Sequence, residues 1–297
     1  MKKYKEKGTF DDLPKSGRPK KVTTRLQRSI VRTIITNPFA SSEEIKKDLP
    51  DSSLISSSSI RKIMVNEGYR AYKAKIKPFL TQKHKETRKM FAENFGEKDQ
   101  EFWQKVIFSD ETRISLLASD KPPLVRRPRN SSLDSKFLRP SFKHPVSIMI
   151  WGCFSWHGLG EIYIIDGTVN NGKYLEILTN NLMPYIQEKF KNERPIFQDD
   201  NAPAHRHRNV KSWMIENELY HLDWPAQSPD LNPIENLWHF LKMKVKKYCP
   251  KNKAELISTV KKVWESEIPQ ELVQNLIKSM LNRLSLLKEA NGGHINY

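Results

Sequence analysis

The stretch Trp224–Trp238 constrains the fold of this chain more than any other segment. Its prolines and polar turn residues keep the first half out of regular structure. Asn232 is a good N-cap and Pro233 suits the first position of a helix. Apolar residues then recur at helical spacing: Ile234, Leu237, Trp238 and Leu241. The stretch therefore predicts a rigid loop running into a half-buried helix, with Glu235 on the first turn. A capping box of Asn232 and Glu235 would explain the same residues without any chemistry.

Two short apolar runs elsewhere each end in acid. Val106–Ser109 precedes Asp110, and Pro195–Gln198 precedes Asp199 and Asp200, so each run looks like a buried strand that delivers a carboxylate at its C-terminal end. Residues 201 to 234, 34 in number, separate Asp200 from the helical glutamate. Three close carboxylates repel one another, and a hard divalent cation is their natural compensation. The sequence therefore indicates an acidic, metal-binding site.

Lysine and arginine are concentrated near the N-terminus. Residues 1–90 hold 23 Lys and Arg against 9 Asp and Glu, whereas residues 91–297 hold 28 against 25. The basic part of the chain therefore predicts a polyanionic partner, most simply nucleic acid. A structural nucleic-acid scaffold is disfavoured, because the larger part of the chain is close to neutral.

Membrane and disulfide classes are excluded by the composition. No apolar run approaches the roughly 20 residues needed to span a bilayer, and no apolar segment follows the basic start as in a signal peptide. Cys153 and Cys249 provide neither a disulfide framework nor the spacing of metal ligands. A water-soluble protein of a reducing compartment fits these features.

Residues 22–70 have the pattern of three short helices. Leu26, Ile30 and Ile34 recur along the first, which ends at Asn37 because the residue before a proline avoids helix. The second begins near Ser41 or Ser42, and Pro50 stops it. The third has a polar, basic outer face: Ser58, Ser59, Arg61, Lys62 and Asn66. The pattern is typical of a helix-turn-helix whose last helix enters the major groove of DNA, the alternative being a three-helix bundle with a solvated basic face.

Residues 1–21 are basic and poor in apolar residues, so they lack the composition of a folded unit. Within them Arg18, Lys20 and Lys21 could follow the minor groove of DNA, where basic side chains meet a narrow, electronegative track. A solvated basic linker is the alternative interpretation. A basic helix over residues 81–95 follows the three-helix region and could link it to the next domain.

From Glu101 onward short strands alternate with helices. Strands are predicted at Val106–Ser109 and Arg113–Leu117 as a hairpin, and later at 146–154, 161–165, 195–198 and 219–222. Residues 119–145 form a long, basic, proline-broken excursion, a kind of segment that is usually functional or disordered. The pattern favours an α/β sheet with helices on both faces. The predicted divisions are an arm at 1–21, a helix-turn-helix domain at 22–70, a linker helix at 71–100, an α/β domain that carries the acids at 101–250 and packed C-terminal helices at 251–297.

Four motifs carry a resemblance to a known family. They are the runs at residues 108–111 (Phe-Ser-Asp-Glu), 150–155 (Ile-Trp-Gly-Cys-Phe-Ser), 198–203 (Gln-Asp-Asp-Asn-Ala-Pro) and 224–238. In this order they resemble the Tc/mariner-type DNA transposases, from about residue 22 to at least 247. The resemblance implies an RNase H-like fold behind the small all-α helix-turn-helix domain, and a catalytic triad of Asp110, Asp200 and Glu235. The gap of 34 residues matches the spacing of the Tc-type members.

The resemblance also implies a reaction and its partners. It implies two Mg²⁺ or Mn²⁺ ions held by the triad, with Asp110 bridging, and cut-and-paste transposition in the nucleus. The partners implied are the terminal inverted repeats, target DNA cut at TA dinucleotides, and a second copy in a homodimer assembled on DNA. No membrane and no small-molecule substrate are implied. The competing hypothesis is a truncated or co-opted copy that only binds DNA.

Several neighbouring residues compete with the triad for its roles. Successive strand residues point to opposite faces, so only one acid of each neighbouring pair can face the metals. The resemblance selects Asp200 over Asp199, because the family motif places the acid directly before Asn, and Glu111 is set aside in favour of Asp110 in the same way. Asp230 is interpreted as a turn residue and His205 as a surface histidine. The family usually has two helix-turn-helix units joined by a Gly-Arg-Pro-Arg-like linker. The similar run at residues 17–20 has only 16 residues before it, so the first unit is expected to be missing or truncated.

Overall fold

The computed structural model describes residues 22–49, 55–74, 76–116, 146–191 and 193–297. The chain divides into two compact units, Met1–Ile76 and Lys77–Tyr297. Arg18, Lys20 and Lys21, the basic residues of the predicted arm, lie outside the described residues, and so does the excursion predicted at 119–145.

The first unit contains the three predicted helices. They are α1 (Thr24–Thr36), α2 (Ser42–Asp48) and α3 (Ser57–Asn66). Each begins after a hydroxyl side chain that accepts a hydrogen bond from the backbone of its first turn: Thr23, Ser41 and Ser56. The centre of this unit is apolar, and Ile30, Ile45 and Ile60 are completely buried. Asn37 is the C-cap of α1, as the following proline predicted.

The second unit is built around a mixed sheet. Its strands are β1 (Val106–Ser115), β2 (Ser147–Ser155), β3 (Gly158–Leu159), β4 (Tyr163–Ile165), β5 (Ile196–Gln198) and β6 (Tyr220–His221). The order is β3-β2-β1-β5-β6, with β4 paired to β2. β1 runs antiparallel to β2 and parallel to β5. The central strand β1 therefore brings residues of two distant segments to its two edges.

The predicted hairpin at Val106–Ser109 and Arg113–Leu117 is wrong. β1 is one continuous strand, and Asp110 lies in its middle rather than at its end. The reason is the length of its partner, because β2 pairs with β1 from Phe108 to Ser115 and carries it past the acids. β5 pairs only with the first part of β1, so the chain leaves the sheet just before Asp200.

Helices cover both faces of the sheet. They are α4 (Gln82–Phe95), α5 (Gln100–Gln104), α6 (Asn171–Ile177), α7 (Met183–Lys189), α8 (Arg208–Glu216), α9 (Ile234–Tyr248), α10 (Lys253–Ser266) and α11 (Gln270–Glu289). A π-helical segment, Leu178–Leu182, joins α6 to α7. None of the helices in the described part of the chain is long and apolar enough to cross a bilayer.

The alternation of side chains along the strands assigns them to two cores. From β2, Ile150 and Phe154 join the core under α9 to α11, whereas Trp151 and Cys153 join the core under α6 to α8. The predicted α/β sheet with helices on both faces is therefore confirmed.

Candidate active site

A cavity of about 440 Å³ brings the three predicted acids together. Asp110, Asp200 and Glu235 all line it, although they come from a strand, the segment after a strand and a helix. The rest of the wall comes from the neighbouring loops: Pro78, Asn201, Ala202, Pro203, Asn232 and residues 224–229. This cavity is called the acid pocket below.

Asp110 reaches the acid pocket from β1 and is held by α9. The indole Nε1 of Trp238 donates a hydrogen bond to Asp110 Oδ2 at 3.2 Å. Trp238 also stacks on Trp264, with ring centroids 5.2 Å apart. The indole can lie this close to the sheet because Gly152, the register partner of Asp110 on β2, has no side chain. A Cβ at Gly152 would come within 2.7 Å of the Trp238 ring.

Glu235 lies on the first turn of α9 and takes no part in capping it. The helix begins at Ile234, one residue later than predicted, and Pro233 occupies the cap position without a side-chain hydrogen bond. The capping-box alternative is therefore wrong. The carboxylate of Glu235 makes no hydrogen bond or ion pair with any residue in the described ranges.

Asn232 connects the loop to the central strand instead of capping through the predicted bond. Its amide nitrogen donates to the carbonyl oxygen of Ser109 at 3.3 Å, and its Oδ1 accepts from the N–H of Ile234 at 3.3 Å. The first bond joins the start of α9 to the residue before Asp110. Asn232 therefore sets the distance between the strand and the helix that carry two of the acids.

Asp199 and Asp200 point to different surroundings. Asp199 is buried and accepts hydrogen bonds from the Tyr174 hydroxyl at 3.1 Å and from His221 Nε2 at 3.0 Å. The Asp200 side chain remains 51% exposed, and its Oδ1 accepts from the N–H of Ala202 at 2.9 Å. The argument that only one of the two acids can face the pocket agrees with this geometry.

The interpretation of His205 as a surface histidine is wrong. The residue is 6% exposed, and its ring stacks on that of Tyr174 with centroids 3.8 Å apart. Its Nε2 lies 3.4 Å from Glu111 and its Nδ1 lies 3.0 Å from Asp200 Oδ1. The Nδ1 contact is within ion-pair distance but lies off the N–H direction, so it is electrostatic rather than a well-aligned hydrogen bond.

His205 is buried because of a turn between Ala202 and His205 that the sequence did not predict. The backbone N–H of His205 donates to the carbonyl of Ala202 at 2.9 Å, which folds the chain back under Asp200. A histidine five residues after a candidate ligand, behind an Asn-Ala-Pro turn, was the available signal. Tyr174 had none, because aromatic residues at helical spacing on α6 read as ordinary core.

The electrostatics of the acid pocket disfavour a further negative charge. Burial raises the pKa of Asp110 well above its usual range, and the charges of Glu235, Glu111 and Asp200 add to that shift. Burial also raises the pKa of Glu235. Such shifts arise when carboxylates are crowded in poorly solvated surroundings.

The contacts of His205 lower the pKa of the neighbouring Asp200 instead of raising it. Burial opposes a charge on the imidazole, but Asp200 and Glu111 outweigh burial and raise the pKa of His205 to about 10. Burial of Asp200 is likewise outweighed by His205 and the Ala202 N–H, so the pKa of Asp200 is lowered. Asp200 is therefore ionised near neutral pH, and His205 carries a positive charge beside it.

Asp230 is a buried ion-pair partner rather than a simple turn residue. Arg88 on α4 donates to Asp230 Oδ1 at 2.8 Å and to Oδ2 at 2.9 Å. The same guanidinium bonds Ser228 Oγ and the carbonyls of Gly292 and Gly293. Arg88 is completely buried and so does not belong with the exposed basic residues of its segment. The pair fixes the loop that forms one wall of the acid pocket.

The predicted DNA-reading residues lie on α3 of the first unit. Ser58, Arg61, Lys62 and Asn66 are exposed, and Ser59 is half-buried. Some of this face is used internally, because Arg61 Nε donates to Ser42 Oγ at 3.1 Å and Ser59 shares the Ser56 cap. Sequence reasoning missed a second basic row on α1, whose exposed members are Arg25, Arg28 and Arg32. The role of the five α3 residues in DNA binding stays a prediction.

Comparisons with known proteins define the class first. Residues 105–257 match the family model described as DDE superfamily endonuclease. Residues 27–96 match a second model, described as a transposase and built on a helix-turn-helix of the Tc3 type. The fold and the acid pocket thus belong to an enzyme of the DDE class. In the sequence, a helical DNA-binding region precedes the RNase H-like catalytic domain.

Relatives along the whole chain narrow the class to a family. The chain is 30% identical over 275 residues to the transposable element Tc1 transposase of Caenorhabditis elegans, an alignment that covers 92% of this chain and 100% of the relative. It is 28% identical over 309 residues to the Tc3 transposase of the same organism, covering 99% and 87%. The chain belongs to the Tc1/mariner-type DNA transposases, which move DNA by cut-and-paste transposition.

Solved structures share the fold. A Mos1 transposase paired-end complex with the left transposon end superposes with a TM-score of 0.78 at 18% identity, covering 99% of this chain and 86% of that one. The paired-end complex of mariner Mos1 with Mg also superposes with a TM-score of 0.78, at 19% identity, and covers 99% and 86%. At this level of identity the agreement concerns the fold.

Proposed function

We propose that Asp110, Asp200 and Glu235 are the catalytic triad of this transposase and that they bind two divalent ions, Mg²⁺ or Mn²⁺. The observation that carries the proposal is that all three acids line one pocket while the Glu235 carboxylate has no partner among the described residues. A glutamate on a helix start would ordinarily cap or form an ion pair. Asp110, the least exposed of the three, would hold the ions together with Asp200 and Glu235.

The fit to a metal rests on the chemistry of the donors. In the described ranges no group of three or more His, Cys, Asp or Glu side chains forms a ready-made metal shell. The acid pocket nevertheless offers only hard oxygen donors, the type that Mg²⁺ and Mn²⁺ prefer. Burial and then the charges of Glu235, Glu111 and Asp200 raise the pKa of Asp110, and a divalent cation would offset that repulsion.

The proposed chemistry has two phosphoryl-transfer steps. In the first, water attacks a phosphorus at the element end, the bond to the leaving oxygen breaks, and a 3′-OH is released. In the second, this 3′-OH attacks a phosphorus at a TA dinucleotide of the target, forming one new ester as another breaks. Divalent ions supply activation of the attacking oxygen and stabilisation of the leaving oxygen. The chain contributes the positions of its carboxylates through Trp238, Asn232 and the Arg88–Asp230 pair.

DNA recognition is proposed for the first unit. The exposed face of α3 would enter the major groove, and the basic row Arg25, Arg28 and Arg32 would contact phosphates beside it. Arg18, Lys20 and Lys21 would follow the minor groove. Mos1 transposase has been solved in a paired-end complex with a transposon end. We infer that this chain likewise pairs the terminal inverted repeats of its transposon, that it does so as a homodimer, and that it acts in the nucleus. We also propose the division into an N-terminal arm, a helix-turn-helix domain, a linker helix, a catalytic domain and C-terminal helices.

The experiment that tests this proposal is nicking of a supercoiled plasmid with Mg²⁺ or Mn²⁺. The full chain is compared with Asp200→Ala and with Asp166→Asn, a matched control whose exposed acid lies 3.7 Å from Lys253 at the surface. Nicking that needs metal, persists in Asp166→Asn and vanishes in Asp200→Ala is expected. If the folded full chain binds DNA but nicks no more than Asp200→Ala, the DNA-binding-only hypothesis replaces the catalytic one.

A further inference from the structure

We propose that His205 is the positioning residue for Asp200: it holds Oδ1 of that carboxylate and thereby leaves Oδ2 for the ligand of the acid pocket. The inference rests on the proposed function and deepens it. His205 Nδ1 lies 3.0 Å from Oδ1, which also accepts the N–H of Ala202 at 2.9 Å. No residue in the described part of the chain donates a hydrogen bond to Oδ2, so the two oxygens have different roles.

Asp200 needs such a restraint because of where it lies. It follows the end of β5, beyond the last ladder pair of that strand. Its side chain is about half exposed, so burial does not select its rotamer. The next residue, Asn201, has a positive φ of 61°, which places the carboxylate at a sharp turn rather than on a regular element. The Ala202 N–H alone would leave the carboxylate free to rotate about its own axis.

His205 is itself fixed well enough to serve as a reference. Its ring makes two contacts: Tyr174 stacks on one face, and Glu111 lies 3.4 Å from Nε2 at the ring edge. Tyr174 is fully buried, and its hydroxyl donates to Asp199 at 3.1 Å. These side-chain contacts connect the buried Tyr174 through the imidazole of His205 to the half-exposed Asp200. Residues that orient a metal ligand in this way commonly affect metal affinity by about 10- to 100-fold.

The two ring nitrogens allow the proposal to be separated from a general charge effect. Asn places its amide near the position of Nδ1, and Gln places its amide near Nε2. His205→Asn therefore keeps an N–H toward Asp200, whereas His205→Gln keeps one toward Glu111 and loses the one toward Asp200. Both substitutions remove the same charge, so they are matched except in direction.

The experiment measures Mn²⁺ binding to the full chain, after EDTA treatment, by the electron paramagnetic resonance of free Mn²⁺. Wild type, His205→Asn, His205→Gln and Asp200→Asn are compared, with thermal unfolding as the test of folding. We expect His205→Gln to bind Mn²⁺ about 10-fold or more weakly and His205→Asn to stay within about 3-fold of wild type. Saturating Mn²⁺ should restore plasmid nicking by His205→Gln to within about 3-fold.

The control is His221→Ala, which removes a histidine bonded to Asp199 rather than to Asp200. It should leave the Mn²⁺ affinity unchanged. Equal losses in His205→Asn and His205→Gln, an equal loss in His221→Ala, or unfolding of both His205 variants would each overturn the positioning role. If wild type binds Mn²⁺ no better than Asp200→Asn, the metal site of the proposed function fails as well. If Asp200→Asn binds Mn²⁺ more weakly than wild type while both His205 variants bind it as wild type does, the positioning role fails and the metal site stands.

Discussion

The second unit holds two clusters of charge beside the segment 224–235, a buried one at Asp230 and a partly exposed one at the acid pocket, and they are built on opposite principles. In the first, the Arg88 guanidinium meets both oxygens of Asp230 and donates to four further acceptors. In the second, three carboxylates line the acid pocket, and the Glu235 carboxylate makes no hydrogen bond or ion pair with any described residue, although the charge of Lys242 acts on it. The pKa of Asp230 is lowered, whereas that of Asp110 is raised.

The difference shows that the loop has two tasks: one part of it holds the loop in place, and another part lines a site for a ligand. A compensated buried pair fixes the loop, because breaking it would strand a charge in the interior. An under-compensated cluster costs stability but leaves carboxylate oxygens free for a ligand. Perturbed acids in a concave site are candidates for function for this reason. The loop is thus anchored at Asp230, while the acids of the pocket that it lines keep carboxylate oxygens free for a ligand.

The largest expected effect is on chemistry, from Glu235→Gln. The carboxylate has no partner among the described residues, so its removal should leave the free energy of unfolding within about 0.5 kcal/mol. Nicking should fall by on the order of 10³-fold, equivalent to about 4 kcal/mol of transition-state stabilisation. Plasmid nicking and urea denaturation of the same preparation measure both quantities. A stable variant with near-normal nicking would remove Glu235 from the triad.

Next comes Arg88→Met, which should affect stability instead. It leaves Asp230 buried without its partner, so we expect a loss of about 3–5 kcal/mol in the free energy of unfolding. Adding Asp230→Leu to Arg88→Met should restore part of the stability. A double variant no better than Arg88→Met would contradict the account of a stranded charge.

A smaller effect is expected in the pH dependence of stability. Burial of Asp230 is outweighed by the hydrogen bond from Arg88 and that from the Ile295 N–H, so its pKa is lowered. The stabilisation is therefore complete above the pKa of the unfolded carboxyl, about 3.9, and is lost as pH falls through the folded value. Asp230→Asn should be less stable by about 1.5–3 kcal/mol at pH 7 and should lose less on acidification to pH 3. Urea denaturation at both pH values tests this; parallel losses would contradict it.

The smallest effect has the opposite sign. The pKa of Asp110 is raised first by burial and then by neighbouring acids, so its contribution to stability is favourable at acid pH and is lost as pH rises through the folded value. Asp110→Asn should therefore stabilise the EDTA-treated protein at pH 7 by about 1 kcal/mol, and the gain should shrink toward pH 4. Mn²⁺ should raise the Tm of wild type and not that of the variant. Destabilisation by this substitution in EDTA would contradict the account.

The sequence was sufficient for features that depend on local patterns. The three helices of the first unit follow from apolar spacing and from the caps Thr23, Ser41 and Ser56. The family of the chain and its fold class are also confirmed, because the motifs around Asp110, Asp200 and Glu235 are long and occur in order. The roles of those three acids remain predictions, supported by their meeting in one pocket.

The features that sequence reasoning missed depend on contacts between distant segments. β1 continues past Asp110 because β2, more than thirty residues later, pairs along its second half. Arg88 looks like one of many basic side chains until Asp230 and the carbonyls of Gly292 and Gly293 surround it. His205 and Tyr174 meet across 31 residues of sequence, between α6 and the turn after β5. No local periodicity encodes any of these meetings.

The most direct measurement is anomalous diffraction from a crystal of the full chain soaked in Mn²⁺. The account predicts two anomalous peaks in the acid pocket, within about 2.0–2.3 Å of carboxylate oxygens of Asp110, Asp200 and Glu235. The Asp200 oxygen bound to manganese should be Oδ2, with Oδ1 still beside His205. Peaks only at other sites, or a pocket that stays empty at Mn²⁺ concentrations that support nicking, would contradict the claim that this cluster is the metal-binding centre.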